Sequence, residues 1–380
     1  MIILEYMDSA FATRLEHIES VLLSSLPERN KSTWQSASFG SLDAAVTGTH
    51  IAGLIDPCRS LLCLGGKRWR PLLLVLCAEM SANARSCAKN QKSSVISANG
   101  QHPVIRSDAV DNAYNLTPLV EFAHTASLIH DDIEDCADMR RGKPAAHITY
   151  GTDTALNAAS WLYFEAPVCI ASLPLSDEEK NVFYALYLNE LRRLHLGQAM
   201  DIEWHRSPSL IPSAAEYTAM VRNKTGTLSR LAVKTGILAG GGSAQDAEKA
   251  GKIAEDIGVG FQILDDVTNL TTGNPGKKRG DDIVEGKKSL PVLFHLASHP
   301  EDKETLSRLF ERARKEGIDS PAVEEAITIL TKSKAVAEAK RQGTELVNIK
   351  SRELAGLYGQ DGGESAQLII NLFDSMRGGR

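Results

Sequence analysis

No apolar run in the 380-residue chain approaches the roughly 20 residues needed to cross a bilayer, so a transmembrane protein is not expected. A basic start followed by a cleavage site is missing too. The opening "MIILEYMDSAFATRLEHIESVL" reads instead as an amphipathic helix, with Phe11, Leu15, Ile18, Val21 and Leu22 at helical spacing. The chain has no excess of positive charge. Its formal net charge of −6 argues against nucleic acid as a partner, because phosphate backbones need a basic surface. A GxxxxGK[ST] loop is absent, which moves nucleotides down the order of phosphate ligands. The six cysteines (Cys58, Cys63, Cys77, Cys87, Cys136, Cys169) form no CxxC pair, so a metal cluster or disulfide framework is not indicated. They read as scattered reduced thiols, and the expected location is cytoplasmic.

Period-two alternation is also scarce. Apolar residues recur at spacings of three and four in "LTPLVEFAHTASLIH", "NVFYALYLNELRRLHLGQAMDIEW" and "AEKAGKIAEDIGVGFQILDDV", which read as long helices. "GGGSAQD" at 240–246 reads as a helix end, a glycine loop and a new start, with Ser243 as cap and Asp246 three residues on. The fold class is therefore all-α. One helical domain over 1–380 is the simplest organisation, with no solenoid repeat. Residues 81–112, rich in Ser, Asn and Ala, read as a surface loop insertion, and "SLPERNKSTWQSASFGS" as a shorter irregular segment.

Against this background the charged clusters stand out. In "SLIHDDIEDCADMRRGKPAAH", Asp131 and Asp135 lie four apart on one helix face, with Asp132 about 100° round. Ionised neighbours of this kind repel and need a cation to stay together. Hard oxygen ligands suit Mg²⁺, which takes one or two carboxylates plus phosphate oxygens. A second apolar helix ends in Asp265 and Asp266. A solvated helix end explains either pair poorly, because carboxylates are unfavourable at the negative end of a helix dipole. Two such ends suggest a shared cavity mouth. Basic residues come in three groups: Lys67, Arg68 and Arg70 in "GGKRWRP", then Arg140 and Arg141, then Lys277, Lys278, Lys287 and Lys288. Acidic clusters alternating with Arg/Lys loops suit two diphosphates, one held through metal and one directly.

The chain resembles the trans-polyprenyl diphosphate synthases, the head-to-tail prenyltransferases of isoprenoid synthesis. Five motifs appear in that family's order: "GGKRWRP" (65–71), "HDDIEDCADMRRGKPAAH" (130–147), "GQAMDIEW" (197–204), "NKTGTL" (223–228) and "FQILDDVTN…GKKRGDDIVEGKKSLP" (261–291). The resemblance implies a single helical bundle around a central cavity, the isoprenoid synthase type I fold. It also implies a Mg²⁺-dependent condensation of isopentenyl diphosphate with an allylic diphosphate, three ions per site, and a homodimer. By the same resemblance Asp131, Asp132 and Asp135 would bind Mg²⁺ bridging to the allylic diphosphate, with Asp265 completing the metal site and Asp266 beside it. Arg140 and Lys287 would meet the allylic diphosphate. Lys67, Arg70, His124 and Arg141 would hold the diphosphate of isopentenyl diphosphate. Lys224, Thr225 and Gln262 would lie near the reacting carbons, and either Lys277 or Lys278 would supply a further cation.

Two departures from the family pattern are visible. Asn269 closes the second acidic motif in place of Asp, and Ser160 and Trp161 stand where many bacterial members read Gly-Asp. Product length follows from helix geometry. Ala126 and Ser127 lie about one turn below Asp131 and are too small to block a growing chain. Ala123 leaves the next turn open, and Phe122 would close it only if it faced inward. A product longer than farnesyl, geranylgeranyl or beyond, is expected. A class I terpene cyclase has no use for a second diphosphate, so the "GGKRWRP" and "RRG" loops count against it. A non-catalytic partner subunit would be expected to lose metal carboxylates, and only Asn269 departs.

Overall fold

In the computed structural model the described residues are 9–28, 32–92, 107–207, 210–273 and 278–378. They are almost wholly helical. The N-terminal half holds α1 (Ser9–Ser25), α2 (Ser32–Phe39), α3 (Gly48–Leu62), α4 (Trp69–Lys92), α5 (Ser107–Asn115) and α6 (Thr117–Glu134). A hairpin of β1 (Met139–Arg140) and β2 (Lys143–Pro144) follows, then α7 (Ala146–Tyr150), α8 (Thr152–Glu165), α9 (Val168–Ala171) and α10 (Asp177–Arg206). The remainder comprises α11 (Ala214–Val221), α12 (Thr227–Ala239), α13 (Ala244–Thr271), α14 (Asp281–Glu285), α15 (Leu290–Ser298), α16 (Lys303–Glu316), α17 (Pro321–Lys332), α18 (Ala335–Ala355) and α19 (Gly363–Gly378). Among the described residues no helix is long and apolar enough to cross a membrane.

The helices start where local chemistry satisfies their free N–H groups. Reciprocal capping boxes open α10 (Ser176 with Glu179), α11 (Ser213 with Glu216) and α13 (Ser243 with Asp246). The core of α4 is the fully buried run Leu72–Leu76, and each such Leu contributes about 1.5–3 kcal/mol relative to exposure. Helix α13 sits between two apolar clusters. Its Ile257 and Phe261 join the larger one, while Val259, Ile263 and Val267 join the one built with α15–α17.

The 81–112 segment is not one loop. Residues 81–92 continue α4, 107–112 belong to α5, and only 93–106 fall outside the described residues. The reason is close packing by small side chains. Ser81 donates to the Ile237 carbonyl at 3.1 Å, and a Cβ on Gly240 would strike the Ala78 carbonyl. The "SLPERNKSTWQSASFGS" segment is likewise helical over α2, pinned by Trp34 and Phe39 against Trp161.

Candidate active site

Helix α6 delivers the first acidic cluster. At about 100° per residue, His124, Ser127, Leu128, Asp131 and Asp135 share one face, whereas Phe122 lies on the opposite one. Phe122, Ala123 and Ala126 are buried, and the half-buried Ser127 donates its hydroxyl to the His124 carbonyl at 2.8 Å. Asp131 and Asp135 are half-buried, while Asp132 is buried. Gln198 of α10 donates to Asp131 Oδ1 at 2.7 Å and also binds Glu134. Arg140 donates to Asp132 Oδ1 through Nε at 2.8 Å and through a second guanidinium nitrogen.

Two lysines stitch the acids together. Lys224 Nζ lies 2.6 Å from Asp201 Oδ2 and 3.7 Å from Asp131 Oδ1. Lys287 Nζ lies 3.4 Å from Asp135 Oδ2 and 3.6 Å from Asp282 Oδ1, and pairs with Glu285. Burial disfavours both ammonium groups, but Asp131 and Asp201 around Lys224, and Glu285, Asp135 and Asp282 around Lys287, outweigh it, so both pKa values rise. Burial also works against the Asp201 carboxylate. Lys224, His205 at 2.7 Å and Lys287 overcome it and hold the carboxylate well below its usual range.

The second cluster closes α13. Asp266 is buried and fixed by neutral donors: Tyr217 Oη at 2.7 Å, Gln262 Nε2 at 3.0 Å and the Leu290 amide at 3.3 Å. Burial raises its pKa despite those donors. Asp265 is half-buried. Gln262 accepts in turn from Thr225 Oγ1 at 2.8 Å, so Thr225, Gln262 and Asp266 form one chain. Lys224 and Thr225 sit on a π-turn, Arg222–Gly226, between α11 and α12. That turn presses onto α10 at Gly197, where any Cβ would collide with the Lys224 backbone. The glycine of "GQAMD" is thus required by the approach of the Lys-Thr segment. Asn269 is buried with its side-chain oxygen accepting from the Asp282 amide at 3.2 Å. It holds α14 and is turned to backbone.

A cationic cradle lies alongside. The hairpin turns on Arg141 (φ 53°) and Gly142 (φ 75°), a two-residue turn that presents both arginines. Arg141 donates to the Gly65 carbonyl. Arg70 stacks over Trp69 at 4.4 Å, and its Nε is buried without a hydrogen-bond partner. Burial pulls Arg70 down to about 10, with Arg141 adding to the effect, yet it stays protonated at neutral pH. Burial, then Arg70, Arg141, Arg68 and Arg140, push His124 well below its ordinary value, so it is a neutral imidazole. Lys67 is exposed beside this group. A half-buried arginine whose Nε lacks a partner, among so many cations, fits an anion.

A further cation at the site is expected from either Lys277 or Lys278. Lys278 is exposed and pairs with Asp319 at 2.9 Å, and Lys277 lies outside the described residues. Sequence reasoning assigned no role to Gln198, Asp201, Tyr217, Asp282 or Glu285, although "GQAMD" flagged the first two. Ser160 meets His130 at 3.3 Å beside the first cluster, whereas Trp161 packs outward on Trp34 and Phe39.

Residues 52–330, which carry every cluster above, match the Polyprenyl synthetase family. The chain belongs to this family. It is 38% identical over 214 residues to geranylgeranyl pyrophosphate synthase 2 of Zymoseptoria tritici, covering 56% of this chain and 61% of that one. It is 31% identical over 275 residues to a geranylgeranyl pyrophosphate synthase of Claviceps paspali, covering 71% and 78%. The match thus spans about six-tenths of the first of these relatives. In overall fold the chain is similar to a solved geranylgeranyl pyrophosphate synthase (TM-score 0.73, 22% identity, 97% of this chain and 99% of that one). It is also similar to a decaprenyl diphosphate synthase of Rhodobacter capsulatus (TM-score 0.71, 20% identity, 97% of each).

Proposed function

We propose that the chain is a trans-prenyltransferase condensing isopentenyl diphosphate with an allylic diphosphate. The observation that carries this reading is the pairing of two half-buried carboxylate sets, Asp131 with Asp135 and Asp265, with a separate cationic cradle around Arg70. Two anions can be held by different means side by side. Among the described residues no three His, Cys, Asp or Glu groups converge into an all-protein metal cage. That donor set suits Mg²⁺, which binds through one or two carboxylates and completes its shell with water and phosphate. Asp131, Asp135 and Asp265 would hold three ions, and bound Mg²⁺ would supply neutralisation of the departing diphosphate.

In this reading Arg140, Lys224 and Lys287 orient the allylic diphosphate and add fixed positive charge where negative charge develops. The bond from its C1 to oxygen breaks, and the electron pair leaves with diphosphate. The double bond of isopentenyl diphosphate, held by Lys67, Arg70, His124 and Arg141, attacks C1. C4 of isopentenyl diphosphate forms the new bond, and the positive charge passes to its C3. C2 of the isopentenyl unit then loses a proton to the diphosphate and the C–H pair becomes the new C2–C3 double bond, so no side-chain base is needed. Thr225 and Gln262 support the reacting region, and the apolar walls keep water from the cation. Of the positions expected to set product length, Ala123 and Ala126 are buried in the core away from the Asp131 face, and only Ser127 lies one turn below Asp131 on that face, too small to block a growing chain. The curated relatives are named geranylgeranyl pyrophosphate synthases; both support a product beyond farnesyl.

Exposed Ile148, Leu156 and Phe164 on α7 and α8, with Val182, Leu188 and Leu196 on α10, offer an apolar surface for a second copy of the chain. A cytoplasmic homodimer follows from this reading. Purified protein incubated with Mg²⁺, labelled isopentenyl diphosphate and, in turn, dimethylallyl, geranyl or farnesyl diphosphate should give products ending at one length beyond farnesyl. Absence of condensation with every starter would sink the assignment, and a farnesyl stop would sink the length argument. Phe164→Asp should convert a dimer to a monomer in sedimentation. A monomeric parent protein would overturn the dimer.

A further inference from the structure

Arg68 stands between Lys67 and Arg70 but does not belong to the cradle they form. Its residue is 4% exposed and its backbone is left-handed (φ 46°), a conformation that costs energy in a non-glycine residue. Each of its three guanidinium nitrogens has a partner. Nε donates to Glu19 Oε1 at 2.6 Å, one terminal nitrogen donates to Glu121 Oε1 at 2.6 Å, and the other to the Leu62 carbonyl at 2.6 Å. These partners come from three places: α1, α6 and the end of α3. Glu121 lies one turn before His124, and its charge also acts on Arg70 and Arg141. Burial opposes the Arg68 charge, yet Glu121 and Glu19 raise its pKa.

We propose that Arg68 is a positioning residue that, through Glu19 and Glu121, sets the cradle for the second diphosphate without touching that ligand. The inference rests on the prenyltransferase reading above. The strained backbone at Arg68 turns Lys67 outward and Arg70 inward, and the two carboxylates hold that turn against repulsion among Arg68, Arg70, Arg140 and Arg141. Glu19 lies outside the 52–330 stretch that matches the family. An N-terminal helix thereby reaches the substrate loop and tunes affinity for one of the two substrates. Helix α1 cannot drift freely, because Phe11, Leu15, Ile18 and Leu22 are buried in the main core.

The test measures steady-state kinetics and binding of inorganic diphosphate without metal, on the full chain. Arg68→Lys, which keeps charge but loses the fork, should raise KM for isopentenyl diphosphate about 10- to 100-fold. KM for the allylic diphosphate should stay within about 3-fold, and kcat should fall little. Glu19→Gln, altering the outer and more exposed partner, should give the same split at about 3- to 10-fold with an unchanged melting temperature. Metal-free diphosphate binding should weaken in parallel. Equal effects on both KM values, a loss confined to kcat, or unaltered diphosphate binding in both variants would overturn the proposal. A parent chain that binds diphosphate but condenses nothing would instead fault the prenyltransferase reading, leaving the binding arm to judge Arg68.

Discussion

The C-terminal ends of α6 and α13 carry the same Asp-Asp pattern after the same kind of apolar run, yet they use it differently. On α6 the acids are countered by charge: Arg140 on Asp132, Lys224 near Asp131 and Lys287 near Asp135. On α13 Asp266 is held by the neutral donors Tyr217, Gln262 and the Leu290 amide. The two ends share one arrangement. In each pair the first carboxylate is half-buried and the second is buried, Asp132 at 1% and Asp266 at 5% exposure. On the proposed reading, the first aspartate serves ligands, and the second holds the helix end to its neighbours. A repeated motif thus divides its work by helical phase, because adjacent residues point about 100° apart.

The sharpest way to break this comparison is to remove the first member of each pair. Asp131→Ala and Asp265→Ala should each lower kcat about 1000-fold. Asp131→Ala should change stability by no more than about 1 kcal/mol, since a half-exposed carboxylate carries little of the fold. Rates and thermal melts on the same samples check both. Asp266→Ala should differ in kind. It strands the Tyr217 hydroxyl and the Leu290 amide, so stability should fall by about 2 kcal/mol or more along with activity. Tyr217→Phe removes one of those donors and should cost about 1–2 kcal/mol in denaturant melts, with condensation retained. The smallest effect on rate belongs to Asn269→Asp. Its oxygen can still accept from the Asp282 amide, so kcat should stay within about 3-fold. The added buried charge near Asp282 should cost about 1–3 kcal/mol. A gain in kcat would place position 269 on the ligand side and spoil the contrast.

Much of this was legible from the sequence because it is local. The all-α class came from periodicity, the α13 start from Ser243 and Asp246, and the acidic helix ends from their conflict with the helix dipole. The course of 81–92 was not legible. Ser81 and its small neighbours pack against Gly240 and the Ile237 carbonyl, and close packing by Ser and Ala removes the apolar signal that marks a buried face. The roles of Tyr217 and Glu19 were hidden for another reason. Each acts on a residue 49 positions away, on Asp266 and Arg68, and no short-range pattern encodes such a pair. Asn269 looked like a defect in a metal motif until its bond to the α14 backbone gave it a structural task.

The most direct test of the division within each pair is anomalous diffraction from crystals grown with Mn²⁺ and an unreactive allylic diphosphate analogue. The account predicts metal within about 2.3 Å of oxygens from Asp131, Asp135 and Asp265, with Asp266 still on Tyr217 and Asn269 still on the Asp282 amide. Metal bound directly by Asp266 or Asn269, with Asp131 or Asp265 turned away, would contradict it.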